Sequence, residues 1–283
     1  MMNLIRADIY RIFRGKGVYI TLVILLGVIV LQVTAGAYMS MGVSADDIHM
    51  IDMLSESDET MIQLFEASSN NGIEPFQRPF GAEAPYTAMT FTDGILYILL
   101  PLLTFISTAD FTSGVVKNTL VGGMSRLKYY ISKLTLSCIA CTLLLIAYVL
   151  LSTIFATLIS GFGGTFNWEY ISSVIKVFAM QLWLVLALTC VGHFFIFITR
   201  SGSFIGEYIA FLLVPSLVLF LLSLINRWFE NLLIYDLTMG LSMVLNVSVM
   251  PAVDIIKIIL IGAGYIVAAT VGGFLLFKKA EIK

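Results

Sequence analysis

Six long apolar runs constrain this chain more than anything else in it. They fall at roughly 18–40, 89–109, 134–160, 171–199, 207–225 and 254–277. A helix needs about 20 apolar residues to cross a hydrocarbon core, and each run is close to or beyond that length. Only 12% of the 283 residues are charged and 59% are hydrophobic. A soluble domain carries about 25% charged residues and could not hide so much apolar surface. The expectation is an all-α polytopic membrane protein: one domain over 1–283, six transmembrane helices, an N-terminal amphipathic interfacial helix and both termini cytoplasmic.

Charge sets the orientation. Placing both termini, the 110–133 loop and the 200–206 loop on one side gathers 12 of the 16 Lys and Arg there. The same side holds only Asp8, Asp110, Glu207 and Glu281 of the 18 acids. Lys and Arg mark the cytoplasmic side, so the expected location is the cell membrane, with an even number of spans. Within 1–16, Ile5, Ile9, Ile12 and Phe13 keep helical spacing among Arg6, Arg11 and Arg14, which reads as a helix lying in the cytoplasmic interface. Ala35-Gly-Ala37 resembles a cleavage site, but the run before it is long for a signal core, and an uncleaved first span is expected. On the outer side, 41–88 sets nine acids against Arg78 alone. Its first half has helical apolar spacing at Ile51, Leu54, Met61, Ile62 and Phe65, and Ser68–Pro85 reads as loop. The outer segment 226–253 is semi-apolar, with a re-entrant or interfacial helix expected near Leu237–Leu245.

Between the second and third runs lies the most informative polar stretch, 110–133. Gly114 and the Gly122–Gly123 pair bracket a short helix that projects Lys117 and Asn118, with Thr119 beside them. Ser125 is placed to cap a following helix that carries Arg126, Lys128 and Lys133 up into the third span. Four charges sit at the membrane edge: Asp110 and Glu207 at inner ends, Asp93 and Asp254 at outer ends. Ion pairing, for instance of Glu207 with Arg200, is the expected role of these groups. Gly264, Ala268 and Gly272 form a small-residue stripe that lets helices approach closely, within the protomer or between copies. His193 is expected to be a packing hydrogen bonder, and Cys138, Cys141 and Cys190, all in apolar runs, to be reduced thiols. No phosphate-binding G-x-x-x-x-G-K-[ST] loop, His-Glu-x-x-His or Gly-x-Ser-x-Gly occurs, so no hydrolytic site and no metal are expected. Nothing in the charge distribution points to nucleic acid.

The 110–133 stretch resembles the first cytoplasmic loop of type-2 ABC exporter permeases. The resemblance rests on Asp110, Gly114, Asn118-Thr-Leu120, Ser125-Arg126 and Lys133. It is joined by the six-span layout, the N-terminal helix, and Thr199-Arg-Ser-Gly202 with Gly206 before span five. The chain departs from the family in having Asp110 where a Glu is usual and in the length of its first outer segment. The resemblance implies a pore subunit rather than an enzyme, with 110–133 as a coupling loop on a separate ATPase. Asp110, Gly114, Lys117, Asn118, Thr119, Ser125, Arg126 and Lys133 would then serve docking. It also implies two ATPase copies carrying ATP and magnesium, no cofactor in this chain, and a second permease, identical or paralogous. The substrate would be hydrophobic or amphipathic (a peptide, an antibiotic or a lipid-like molecule), and the acidic outer segment suits cationic antimicrobial peptides. The competing expectation is a non-transporting sensor or immunity protein that sequesters such peptides.

Overall fold

The computed structural model describes residues 2–42, 81–163, 167–247 and 250–280. Among them every regular element is helical. Helices α1 (Met2–Arg14) and α2 (Lys16–Gly42) meet at Gly15. After α3 (Ala84–Thr90) and α4 (Thr92–Leu103), the chain widens into a π turn, Thr104–Thr108, and continues as α5 (Ala109–Thr112). The turn follows Pro101, whose missing N–H breaks the regular ladder one turn earlier. A short helix α6 (Val115–Val121) precedes the long helices α7 (Arg126–Ser160), α8 (Trp168–Thr199) and α9 (Phe204–Ile225). A 3-10 stretch, Arg227–Tyr235, leads to α10 (Leu237–Met243), a single 3-10 turn Val244–Asn246, and α11 (Ala252–Lys279).

Among the described residues, five helices are long and apolar enough to cross a membrane: α2, α7, α8, α9 and α11. Leu96–Thr112 together with α6 makes a sixth if that pair, bent by 65°, is one segment. The described residues are thus all-helical in their regular structure, with the apolar content of a multi-pass membrane protein. Local signals set the ends. Ser125 accepts from the Lys128 N–H at 3.4 Å to start α7, eight residues before the apolar run itself begins. Asn167 accepts from Tyr170 N at 2.9 Å to start α8, and α7 ends at Gly161 with φ +78°. The segment expected as loop up to Pro85 is already helical from Ala84, because Ala84, Pro85, Ala88 and Met89 are buried against the bundle. The acidic stretch 43–80 lies outside the described residues.

α8 is the axis of the bundle. In its most apolar window 61% of residues are buried, against 11% for α9. α8 packs along α11 and against α7 and α9, and α2 leans on α4 and α7. A buried amide, Gln181, ties the break between α3 and α4 to this frame, and a half-buried one, Gln32, ties α3 to it. Gln181 Nε2 donates to Met89 O at 2.8 Å and to Leu241 O at 3.0 Å, and Thr92 donates to Gln181 Oε1 at 2.8 Å. Gln32 takes the Tyr148 hydroxyl at 2.5 Å and donates to Thr87 O at 3.3 Å. With no water to compete, an unmade bond at these groups would cost far more than at a surface.

Candidate functional site: a closed ion ring at the root of the 110–133 loop

Asp8 is the sole acid in a basic N-terminal helix. Helical spacing puts Arg11 one turn later on the same face, where it pairs with Asp8 at 3.2 Å. Both turn toward the foot of α7 and the end of α5. Lys133 Nζ lies 2.7 Å from Asp8 Oδ2 and 2.6 Å from Asp110 Oδ2. Arg11 Nη1 bonds Asp110 Oδ1, and its Nη2 reaches toward the π-turn carbonyl of Ile106 at 3.4 Å. The order Asp8, Lys133, Asp110, Arg11 and back to Asp8 is a closed ring of alternating charge with no net charge. Tyr129 adds its hydroxyl to Asp110 Oδ2 at 2.8 Å, and Lys133 Nζ sits 5.6 Å from the centre of the Tyr129 ring.

Asp110 and Lys133 have no solvent exposure at all. Arg11 is 38% exposed and is the ring's side toward solvent. A buried charge is tolerated when it is paired and its remaining hydrogen-bonding capacity is filled. Here both oxygens of both carboxylates are used. Burial still pushes the Asp8 carboxyl above its ordinary value of 3.8, with the Lys133 ammonium working against that rise.

The direct pairing of Asp110 with Lys133 closes the loop at its base. Above that base, Gly114 takes the left-handed conformation at φ +71°, which a Cβ would disfavour, and lets α6 leave α5 at an angle. Lys117, Asn118 and Ser125 are exposed, and Thr119 is half-buried with its hydroxyl on Val115 O at 2.7 Å. Arg126 is engaged elsewhere. Its Nη1 donates to the last carbonyls of α11, Phe277 O at 3.0 Å, Lys278 O at 2.7 Å and Ala280 O at 2.8 Å, as a side-chain cap on a helix C-terminus. Two apolar residues that sequence reasoning passed over complete the exposed part: Val121 is 81% exposed at the end of α6 and Leu127 45% at the start of α7.

The other sequence-derived residues scatter. Glu207 is exposed in the first turn of α9, and Arg200 ends α8 in the left-handed region at φ 53°. Asp254 pairs with Lys257 at 2.8 Å within α11, and Asp93 lies in the first turn of α4. Of the glycine stripe, Gly264 and Ala268 are exposed, while Gly272 lies against Phe194. The close approach of α11 to the bundle runs instead through Gly262 beneath Trp183 and Gly273 beneath Tyr130. His193 is buried and packs on Phe197 and Tyr130, with ring centroids 4.6 and 5.2 Å away. The three cysteines are free thiols on α7 and α8. Among the described residues no group of three His, Cys, Asp or Glu side chains could hold a metal ion.

With the geometry laid out, comparison adds no family. The chain matches no family model, no curated protein and no solved structure. Asp8, Arg11 and Tyr129 were missed by sequence reasoning. The available signal was Asp8, an acid on a strongly basic helix that otherwise has no reason to carry one.

Proposed function

We propose that the chain is the membrane-spanning permease subunit of an ATP-driven exporter, with a separate ATPase docking on the 110–133 loop. The observation that carries this reading is the form of that loop. It is a short helix turned 65° from the helix before it, exposing Lys117, Asn118 and Val121. Its base is fixed by ions to the N-terminal helix and to the foot of α7. A slack tether would transmit nothing. A helix on a neutral, desolvated base moves its neighbours when it is pushed, because separating the ring would leave buried charges unpaired.

In this reading α1 lies in the cytoplasmic interface, both termini are cytoplasmic, and the protein resides in the cell membrane with a second permease, identical or paralogous. ATP and magnesium belong to the partner ATPase. The substrate is hydrophobic or amphipathic, and the nine-acid outer segment favours cationic peptides. The docking contact rests on Lys117, Asn118, Val121 and Leu127, with Asp110, Lys133 and Arg126 holding the surface in place.

The test is affinity purification from the native membrane in mild detergent, with subunit mass and ATPase activity read on the eluate. A stoichiometric ATPase is expected, and it should be lost in Lys117→Glu/Val121→Asp, whose side chains bear on no buried contact. Elution of this chain alone after gentle crosslinking, or an ATPase still bound to the double variant, would overturn the docking assignment. Arg126 is a poor choice for this purpose because its loss frees the end of α11.

A further inference from the structure

The ion ring uses only the inner side of α1. Successive residues of a helix turn by about 100°, so Arg6, Tyr10 and Arg14 share one stripe about 80° wide. Asp8 and Arg11 point away from that stripe, toward Lys133 and Asp110. Arg6 and Arg14 are exposed, Tyr10 is 65% exposed and Ile9 beside them 40%. Asp8 is the only acid in residues 1–16, and it is turned inward onto Lys133 and Arg11. The outer stripe therefore presents two cations and an aromatic ring, while the acid of the same helix is held in the ion ring.

Within the stripe the groups are ordered. Arg14 Nη1 donates to the Tyr10 hydroxyl at 3.0 Å, and its guanidinium carbon stands 5.9 Å from the centre of the Tyr10 ring. A guanidinium carries five N–H groups in a planar fork that matches two oxygens of a phosphate, and the bond to Tyr10 steadies that fork without filling it. Chain geometry sets the depth. Gly15 N donates to Arg11 O at 2.9 Å, and Gly17 lies beneath the Phe105 ring of the π turn. α2 then exposes Tyr19, Ile20 and Val23. Arg14 precedes Tyr19 by five residues, about 7 Å at the helical rise, and one headgroup layer is about 5–7 Å thick. The inner side of α1 meets the feet of α5 and α7, and its last residue stands this close to apolar side chains that need lipid. A protein surface would have to enter the headgroup layer to meet Arg14, whereas a lipid phosphate is already there.

We propose that Arg6, Tyr10 and Arg14 form a binding surface for the headgroups of anionic phospholipids. The two guanidinium groups take the phosphates, and the Tyr10 ring lies at the boundary between headgroups and acyl chains, where amphipathic aromatic side chains are favoured. The surface needs no ATPase, so it stands or falls apart from the docking assignment above. Its consequence reaches the same loop. Lipid holds α1 on one side and the ion ring holds it on the other, so the charge of the leaflet bears on the base of 110–133.

Native mass spectrometry reads the preference directly, on the full chain delipidated in mild detergent and offered equal phosphatidylglycerol and phosphatidylcholine. Wild type should retain phosphatidylglycerol over phosphatidylcholine. A basic residue near an anionic surface contributes roughly a fivefold preference, so Arg6→Gln/Arg14→Gln should lower the ratio by on the order of tenfold or more. Arg6→Lys/Arg14→Lys keeps the charge but not the fork and should keep part of the preference. Lys117→Glu/Val121→Asp, changed only in the 110–133 loop, should keep all of it. Added phosphatidylglycerol should raise the melting temperature of wild type and not of the Gln pair, while the two melt together in phosphatidylcholine alone, which shows the variant folded. A wild type without preference, or a Gln pair that retains as much phosphatidylglycerol as wild type, overturns the proposal. Loss of the wild-type preference on adding inorganic phosphate would assign the surface to a free anion and overturns it too. So does a co-purifying acidic protein that the Gln pair loses while its lipid ratio stays unchanged.

Discussion

Lys133→Met removes the fully buried one of the two cations that bridge the carboxylates of the ion ring. Its Nζ makes contacts of 2.7 and 2.6 Å with Asp8 and Asp110, in a position with no solvent exposure. Methionine keeps the side-chain volume, so the loss is electrostatic rather than a cavity. What remains is two buried carboxylates facing one Arg11, a net buried negative charge. Removing one partner of a buried pair costs about 3–5 kcal/mol. At about 2–4 °C per kcal/mol for chains approaching this size, the melting temperature in detergent should fall by on the order of 10 °C. Arg11→Ala is the internal control. It leaves the same excess of carboxylate, but its side chain is 38% exposed, so water can replace part of it and its loss should cost less than that of Lys133. The decisive comparison is the double variant Asp8→Asn/Lys133→Met. It restores neutrality, with Arg11 and Asp110 remaining as a pair, and should be more stable than Lys133→Met alone, a non-additive result that only a shared charge network gives. The acid side follows the same logic. Asp8 already has its carboxyl raised by burial, so its own contribution to stability is present below 3.8 and is lost as pH rises through the higher folded value. Without Lys133 the largest group opposing that rise is gone and only Arg11 remains against it, so the penalty of Lys133→Met should shrink as pH falls. A Lys133→Met protein that melts with the wild type, or a double variant less stable than the single, would refute the ring as a stabilising unit.

Three further outcomes follow from the packing. Arg126→Ala should destabilise by about 1.5–3 kcal/mol, read by thermal melting, because three carbonyls at the end of α11 lose a charged donor, and Lys should recover only part of it. Gly273→Ala should cost about 1–3 kcal/mol, since its Cβ would lie 2.5 Å from the Tyr130 hydroxyl oxygen, whereas Gly264→Ala meets nothing within 4 Å and should be neutral or slightly stabilising by the same assay. Gln181→Leu should loosen the α3–α4 break and α10 together, detected as faster hydrogen exchange at both, because one amide serves Met89 O and Leu241 O.

Much of the architecture was legible in the sequence because lipid makes a simple demand: each span must be long, apolar and internally bonded. That is why the helices expected at 18–40, 171–199, 207–225 and 254–277 are observed at 16–42, 168–199, 204–225 and 252–279. It is also why the glycines at 114 and 122–123 marked both ends of α6 and why Ser125 announced α7. The second span was less legible. The π turn after Pro101, whose Ile106 carbonyl is approached by Arg11 from another helix, was not anticipated.

The candidate site shows where sequence stops. Lys133 and Arg126 were read as groups of a docking loop, and Asp110 both as one of these and as a membrane-edge charge expected to ion-pair. Asp110 and Lys133 are buried because Asp8 and Arg11, more than 90 positions away in the chain, arrive to neutralise them. Arg126 is engaged because the end of α11 presents carbonyls that the helix itself cannot satisfy. Likewise Gly264 and Gly273 are equivalent letters on one helix, and only the position of Tyr130 separates them. Composition and periodicity determined which segments are helices, since that follows from each residue's own preference for lipid or water. Which charge meets which, and which small residue lies under a ring, depends on distances between segments remote in sequence, and only the packed bundle decides it.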